Sequence, residues 1–299
     1  MVLGGAGFIG SAICRRLASR GFTVTAIDGL LPRTSGAAAN LPAGMKNIDL
    51  IARRVEDVAE LPSMLRGHDS IVDAMGWTSH WEAIEDPLYD MELNLGSHLA
   101  VIRALDKRVS GRIVYLGSSH QYGRAGAGPV GETQVMAPLD VQSVHKVAAE
   151  AHYRLAAERL ELSAASLRFG NTFGPGQPLT GRDIGLIGTM IRRALAGEAI
   201  QVFGEGRRRT VHFAPDLGKA VERVMAAKLS GFTPLNVPGQ HVLIDELAKQ
   251  IAACAGGTVR HEALPAADGA IDTGNAPLDC TLFEKLCGPL QLTKLAEAV

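Results

Sequence analysis

The sequence is poor in aromatic residues, in cysteine and in net charge. Phe, Trp and Tyr make up 5% of the 299 residues, too few for the stacking platforms of proteins that bind single-stranded nucleic acid. The 30 Lys and Arg residues balance 31 Asp and Glu residues, which excludes the basic footprint of a non-specific DNA-binding protein. The 4 cysteines form neither a CxxC metal motif nor a disulfide scaffold, and we interpret them as small apolar residues.

Long hydrophobic runs are also missing. No apolar stretch approaches the roughly 18 residues of a membrane span, and no signal peptide precedes the first strand. We therefore expect a cytoplasmic protein with no membrane partner. Glycine, in contrast, is abundant, with 34 residues, and its placement carries the main functional signal.

Short β-branched or apolar runs alternate with segments of helical periodicity through the first half of the chain. The runs predict strands at 2–3, 22–27, 70–74, 112–116 and 163–169, and the periodic segments predict helices at 11–20, 89–107 and 141–160. This alternation predicts an α/β protein with a Rossmann-type, doubly wound parallel sheet. We place this domain at residues 1–170. Residues 171–299 are expected to form mainly a smaller substrate-binding lobe, with a segment near 210–240 returning to the first domain.

A glycine-rich turn joins the first strand to the first helix. Gly5-x-Gly7-x-x-Gly10 satisfies the dinucleotide fingerprint, in which glycines permit a sharp turn and close approach of a pyrophosphate to the helix N-terminus. Asp28 closes the second strand, where a carboxylate can accept both ribose hydroxyls. The pattern predicts a nucleotide site in which a 2′-phosphate would be repelled, so NAD is favoured over NADP, although Arg33 keeps NADP open. The predicted cofactor-binding residues here are Gly4, Gly7, Phe8, Ile9, Gly10 and Asp28.

Further motifs extend this pattern along nearly the whole chain. They are Gly4–Ser11, Glu56-Asp57-Val58, Asn94-Leu95-Gly96, Ser118–Gly123, Arg168–Gly176 and Gly204-Glu205-Gly206 with Arg209 and Asp216. Together they resemble the extended short-chain dehydrogenase/reductases, the family of NAD-dependent sugar-nucleotide epimerases and dehydratases. The resemblance implies that Asp57 and Val58 cap the adenine, that Ser119, Asn171 and Arg209 bind the substrate, and that the protein is a homodimer.

The resemblance also assigns catalytic positions. Ser118 takes the place of the catalytic serine or threonine, and Lys146 that of the lysine in the family's Tyr-x-x-x-Lys motif, where it also holds the cofactor. The tyrosine position is occupied by Gln142. A carboxamide can hydrogen-bond a hydroxyl but cannot carry its proton away near neutral pH, and general acid/base groups supply about 10²–10⁴ in rate.

Histidines near this position are candidates to replace the tyrosine. His120 follows Ser118 by two residues, and His145 lies three residues beyond Gln142, so either imidazole could act as a base; both could equally be structural. Trp77 and Trp81 could wall the sugar pocket or belong to the core. For His80 the sequence offers no second ligand at suitable spacing, so no metal site is predicted.

The sequence therefore predicts an NAD-dependent epimerase or ketoreductase that acts on a nucleotide-linked sugar. Two alternatives stay open because of Gln142. The protein could be a cofactor-binding sensor or partner subunit without turnover, or glutamine could have been introduced to trap a ligand in an active enzyme.

Overall fold

The fold is described from a computed structural model, which covers residues 1–41, 44–126, 128–181 and 184–298. Its strands are β1 Val2–Leu3, β2 Val24–Ile27, β3 Ile48–Ile51, β4 Ser70–Asp73, β5 Arg112–Leu116, β6 Ala164–Arg168, β7 Asn171–Phe173, β8 Ile200–Phe203, β9 Arg208–Phe213, β10 Phe232–Asn236, β11 Gln240–Leu243 and β12 Val259–Glu262. Its α-helices are α1 Phe8–Ser19, α2 Leu61–Arg66, α3 His80–Glu85, α4 Pro87–Met91, α5 Ser97–Ala104, α6 Val141–Leu160, α7 Leu186–Leu195, α8 Ala214–Ala226, α9 Ile244–Ala255, α10 Ala266–Ala270, α11 Thr281–Cys287 and α12 Leu295–Ala298.

The central element is a parallel sheet, which has seven strands within the described residues, in the order β10-β6-β5-β4-β1-β2-β3. Two apolar clusters cover its two faces. One joins the sheet to α1, α8 and α11, and the other joins it to α2, α5 and α6. Burial on both faces explains why the strands are short, continuous apolar runs rather than alternating ones. The predicted α/β, Rossmann-type fold is confirmed.

Two smaller sheets follow the sixth strand. β11, β9 and β7 form one of them, and β12 pairs with β8 in the other. Between β9 and β11 the chain returns to the large sheet, because α8 packs on α1 and β10 pairs with β6. The C-terminal part also contributes to the larger body, since Phe283 and Cys287 of α11 lie in its core. Of the residues predicted to form the smaller lobe, Arg182 and Asp183 lie outside the described residues.

Some elements differ from the sequence prediction. β3 was not predicted, because its residues are only partly buried and follow a Gly- and Pro-rich stretch. The single helix expected at 89–107 consists of α4, a π-helical turn at Glu92–Gly96 and α5. α1 begins at Phe8, three residues before the predicted start, so the last glycine of the turn lies inside the helix.

The order of the large sheet determines where a ligand can bind. The order of strands reverses between the neighbouring strands β1 and β4, and at such a switch point the connections that follow the two strands run to opposite sides and leave a crevice. The residues that follow β1, β2, β4 and β5 therefore surround one cleft.

Candidate active site

A cleft of about 680 Å³ opens at this switch point. Its walls bring together most of the predicted site residues from distant parts of the chain. They are Gly4, Gly7, Phe8, Ile9, Gly10, Asp28, Ser118, His120, Gln142, Lys146 and Asn171. A smaller cavity of about 40 Å³ shares His120, Gly170 and Asn171 with the cleft and is also lined by Ser119 and Arg209.

The glycine turn leaves no room for a side chain at Gly4 or Gly10. Gly4 has a φ of 70°, and a Cβ atom there would lie 2.9 Å from the backbone of Ala74. A Cβ atom on Gly10 would lie 2.0 Å from the carbonyl oxygen of Gly4. The backbone of the turn and the start of α1 line the cleft, where the helix dipole favours an anion. The cradle therefore fits the pyrophosphate of a dinucleotide.

Asp28 lies next to this cradle. Its carboxylate accepts hydrogen bonds from the backbone amides of Ala6, at 3.0 Å, and Leu30, at 2.8 Å, so it is held at the cleft wall by the turn itself. Arg33, which kept NADP open, also lines the cleft. Its guanidinium lies over the rings of Trp77 and Tyr89, 4.7 Å from each centroid, and pairs with Asp86 at 3.0 Å.

Two predicted cofactor residues do not line the cleft. Within the short turn Val55–Asp57, the chain directs Asp57 to the surface, while Val58 is buried in the core beside the sheet. Arg53, Arg54, Val55 and Glu56 form the cleft wall instead. Sequence spacing alone could not show which of residues 53–58 line the cleft, because a single helical turn decides which side chains face inward.

Lys146 is buried on α6, with 9% of its surface exposed. Its Nζ donates to the carbonyl oxygens of Met75, at 3.2 Å, and Leu116, at 3.3 Å, at the ends of β4 and β5. Burial lowers its pKa to about 8, although Asp73 and Asp90 oppose this. The lysine thus holds a proton at the base of the cleft at neutral pH.

Gln142 lies one helical turn before Lys146 and is also buried. Its Nε2 donates to the carbonyl oxygen of Trp77, and its Oε1 has no partner within the described part of the chain, so it can accept from a hydroxyl. Ser118 also lines the cleft, and its Oγ accepts from the backbone amide of His120 at 3.1 Å. The structure therefore brings the three predicted catalytic positions into one cleft.

No tyrosine stands in for Gln142. The sequence contains four tyrosines, all within the described residues, and none of them is among the residues that line the large cleft. Tyr115, Tyr122 and Tyr153 are fully buried. Tyr122, four residues after Ser118, donates to Asn236 and accepts from Arg168, so its hydroxyl is already engaged.

The two candidate histidines differ in position. His120 lines the cleft, whereas His145 does not and pairs through Nδ1 with Asp90 at 2.6 Å. Trp77 is both buried in a small core cluster and part of the cleft wall. Trp81 is not among the lining residues of the cleft.

The assumption that His80 has no neighbouring ligand group was wrong. Candidate ligand atoms of His80, His120 and Asp140 lie within 4.8 Å of one another. The two imidazoles, however, stack with their planes at 26°. A metal ion lies in the plane of each imidazole that binds it. Two stacked, nearly parallel rings have no shared point close to their nitrogen atoms where one ion could lie in both planes. Their arrangement does not fit a metal centre, and the absence of one stays a prediction.

Arg207, Arg208 and Arg209 alternate in direction as residues of a strand do. Arg207 and Arg209 both pair with Asp272, the latter at 2.7 Å, whereas Arg208 is exposed. Burial lowers the pKa of Arg209 from its ordinary value. Arg209 therefore lines the smaller cavity and is paired with the carboxylate of Asp272.

Comparisons with known proteins agree with this fold. A UDP-glucose 4-epimerase of Mycolicibacterium smegmatis is 27% identical over 306 aligned positions, covering 100% of this chain and 95% of the relative. The solved UDP-glucose 4-epimerase of Thermotoga maritima, with UDP-glucose, has a TM-score of 0.86 at 22% identity and covers 99% of this chain and 94% of that one. That of Thermus thermophilus, with NAD, has a TM-score of 0.83 at 23% identity, covering 99% and 94%.

Among helices in the described ranges, none has the length and apolar character needed to cross a bilayer. A family model matches residues 1–237, which include all seven strands of the large sheet. The resemblance predicted from the motifs is confirmed: the chain belongs to the NAD-dependent epimerase/dehydratase family.

Proposed function

We propose that this protein is an NAD-dependent enzyme that acts on a carbinol of a nucleotide-linked sugar, as an epimerase or a ketoreductase. The observation that carries the proposal is the composition of the cleft. One continuous space is lined by the glycine turn, by Asp28 and by Ser118, Gln142 and Lys146. A nucleotide and a hydroxyl-bearing substrate can therefore meet there.

NAD would be held by the residues that form its cradle. Backbone amides at the start of α1 face its pyrophosphate, and Asp28 accepts the hydroxyls of its adenosine ribose. Lys146, which lines the cleft, would donate to the nicotinamide ribose. When bound, NAD supplies a nicotinamide ring that takes up and returns hydride. The carboxylate of Asp28 and the engagement of Arg33 by Asp86 favour NAD over NADP.

The sugar would lie between Ser118 and Gln142. The Ser118 hydroxyl donates to the reacting oxygen and polarises it, and Gln142 Oε1 accepts from a neighbouring hydroxyl. Ser119, Asn171 and Arg209 line the adjoining cavity, where a guanidinium suits a diphosphate. Relatives that act on UDP- and dTDP-sugars support this choice of substrate class.

A second candidate function rests on the residues of the cleft wall. Neither Gln142 nor a tyrosine provides a proton carrier there, which favours a protein that binds NAD and a nucleotide sugar without turnover. Turnover assays with purified protein separate the two. Formation of NADH, or conversion of a UDP-, GDP- or dTDP-sugar, supports the enzyme, whereas binding of both ligands with no conversion supports the sensor.

The homodimer implied by the resemblance has a candidate surface. α4 and α6 pack together, and around them Leu88, Met91, Val144 and Leu155 are 72%, 43%, 50% and 52% exposed. Exposed apolar groups of this size mark interaction surfaces. We propose that two copies meet on this face in the cytoplasm. Light scattering of the wild type and of Leu88→Lys tests the dimer, which the charged variant should split into monomers.

The experiment that tests the proposed ligands is mass spectrometry of small molecules released when fresh protein is denatured. Recovery of NAD, with or without a nucleotide sugar, supports the proposal. Recovery of an unrelated nucleotide as the main ligand would contradict it.

A further inference from the structure

Two histidines from distant parts of the chain lie side by side in the cleft wall. His80 is the first residue of α3, and His120 lies in the short turn at Ser119–Tyr122. Their rings are stacked, with centroids 4.9 Å apart. Both Nδ1 atoms face the carboxylate of Asp140, at 3.3 Å for His80 and 3.8 Å for His120.

Asp140 is a fixed negative charge. It is the N-cap residue of α6, where its carboxylate accepts from the backbone amide of Ser143 at 2.8 Å and from the Ser143 hydroxyl at 2.9 Å. Burial alone would raise its pKa, but His120, His80 and the Ser143 amide hold the pKa well below its usual range. The carboxylate is therefore ionised whenever the protein is folded near neutral pH.

His120 presents its two nitrogens to different surroundings. Nδ1 is buried on the side of Asp140 and makes no hydrogen bond at the present distance. Nε2 is accessible and has no partner in the part of the chain that the structure describes, so it is the nitrogen that can meet a ligand in the cleft. Hydrogen bonds between catalytic groups are often long in the free enzyme and shorten with substrate bound.

The position of His120 relative to Ser118 is also fixed. The backbone amide of His120 donates to Ser118 Oγ, so the imidazole and the serine hydroxyl belong to one turn. Burial lowers the pKa of His120, the charges of His80 and Arg209 lower it further, and Asp140 raises it. The imidazole is therefore neutral near pH 7, which leaves one nitrogen able to accept a proton.

We propose that His120 is the proton-carrying group of this cleft, with Asp140 as its positioning residue and His80 as its stacking partner. The proposal rests on the proposed function, because it concerns the hydroxyl of the sugar. In the step assigned to His120, the O–H bond of that hydroxyl breaks and an N–H bond forms at Nε2. The electron pair stays on the sugar oxygen, Nδ1–H turns toward Asp140, and the reverse transfer restores the neutral imidazole.

Asp140→Ser and His120→Asn are the informative variants. Serine keeps the N-cap of α6 but removes the charge. We expect single-turnover conversion of a UDP-, GDP- or dTDP-sugar panel to fall by about 10²–10⁴-fold in His120→Asn, with NADH affinity unchanged. Added imidazole should partly restore the rate in His120→Ala. His145→Asn is the matched control, since His145 lies outside the cleft wall, and it should keep its rate within about threefold.

A readout that needs no substrate accompanies these assays. Nitrogen NMR of the histidine rings should find the proton of neutral His120 on Nδ1, and the pKa of His120 should fall in Asp140→Ser. An unchanged tautomer and pKa in Asp140→Ser would overturn the role of Asp140. Full turnover in His120→Asn would overturn the role of His120 and leave the proposed function intact. A wild-type protein that does not bind NADH would overturn the proposed function itself.

Discussion

Asp28 accepts a hydrogen bond from the backbone amide of Ala6 at 3.0 Å, which ties the end of β2 to the glycine turn after β1. The same carboxylate accepts from Leu30 on its other oxygen. Because both oxygens are used by the backbone, the charge is held at the cleft before any ligand arrives. The position of the proposed ribose anchor thus follows from packing of the turn.

Asp28→Asn should weaken NADH binding. The amide keeps the shape but loses one acceptor and the charge, and hydrogen bonds to charged groups are worth about 1.5–3 kcal/mol, or about 10- to 100-fold in affinity. NADPH should lose less, because the repulsion of its 2′-phosphate also falls. Fluorescence titration measures both constants. Asp49→Asn, at an exposed position of β3, is the control. Equal NADH affinity in the two variants would show that Asp28 does not bind the cofactor.

Gln142→Tyr tests whether the glutamine is a damaged catalytic position. Gln142 is buried and donates to the Trp77 carbonyl, so a larger phenol must displace that contact. We expect the variant to turn over a nucleotide sugar no faster than the wild type. A gain of about 10²–10⁴-fold, measured as sugar conversion at saturating NAD, would instead identify a degenerate enzyme repaired by tyrosine.

Glu150 and Arg168 form a buried ion pair below the cleft, with 4% and 3% of their side chains exposed. Their second contact, from Arg168 Nε to Glu150 Oε2, measures 3.0 Å. Glu150→Gln should lower the free energy of unfolding by about 3–5 kcal/mol, because a buried charge loses its partner. Urea unfolding measures this loss.

The matched control is Glu158→Gln, which breaks the half-exposed pair with Arg154 on α6. Such surface pairs contribute about 0.3–0.5 kcal/mol. Similar losses in the two variants would mean that the buried pair is not a determinant of stability.

We expect the free energy of unfolding to fall in mild acid because His212 is buried without a proton on Nδ1. Its Nδ1 accepts from Gly170 and its Nε2 donates to Val237, and burial lowers its pKa from 6.5 to about 4. The unfolded chain therefore binds this proton at higher pH than the folded protein. Its stabilising contribution is complete above pH 6.5 and falls, by about 3 kcal/mol in total, as the pH drops toward 4.

The comparison is between the pH dependence of unfolding in the wild type and in His212→Asn. The variant should lose the part of the slope between pH 6.5 and 4 that this imidazole causes. His152→Asn, at an exposed position, should keep the wild-type slope. Parallel curves for the wild type and His212→Asn would contradict the assignment.

Much of this molecule could be predicted because its signals are local. The glycine turn, the buried strands and the amphipathic or small-residue helices are contiguous in sequence, and the fold follows from them. β3 escaped prediction because its residues are partly exposed, and Asp57 lies outside the cleft wall because one short turn rotates it outward. His80, His120 and Asp140 come from three separate segments, so only the folded chain reveals that they meet.

Calorimetric titration of the full chain with NADH tests whether the glycine turn and Asp28 bind a dinucleotide. We expect heat from one site per chain, a rise in the melting temperature, and weaker binding in Asp28→Asn. Titrations with saturating NADH and NADPH that give neither heat nor a change in melting temperature would contradict nucleotide binding by this cleft.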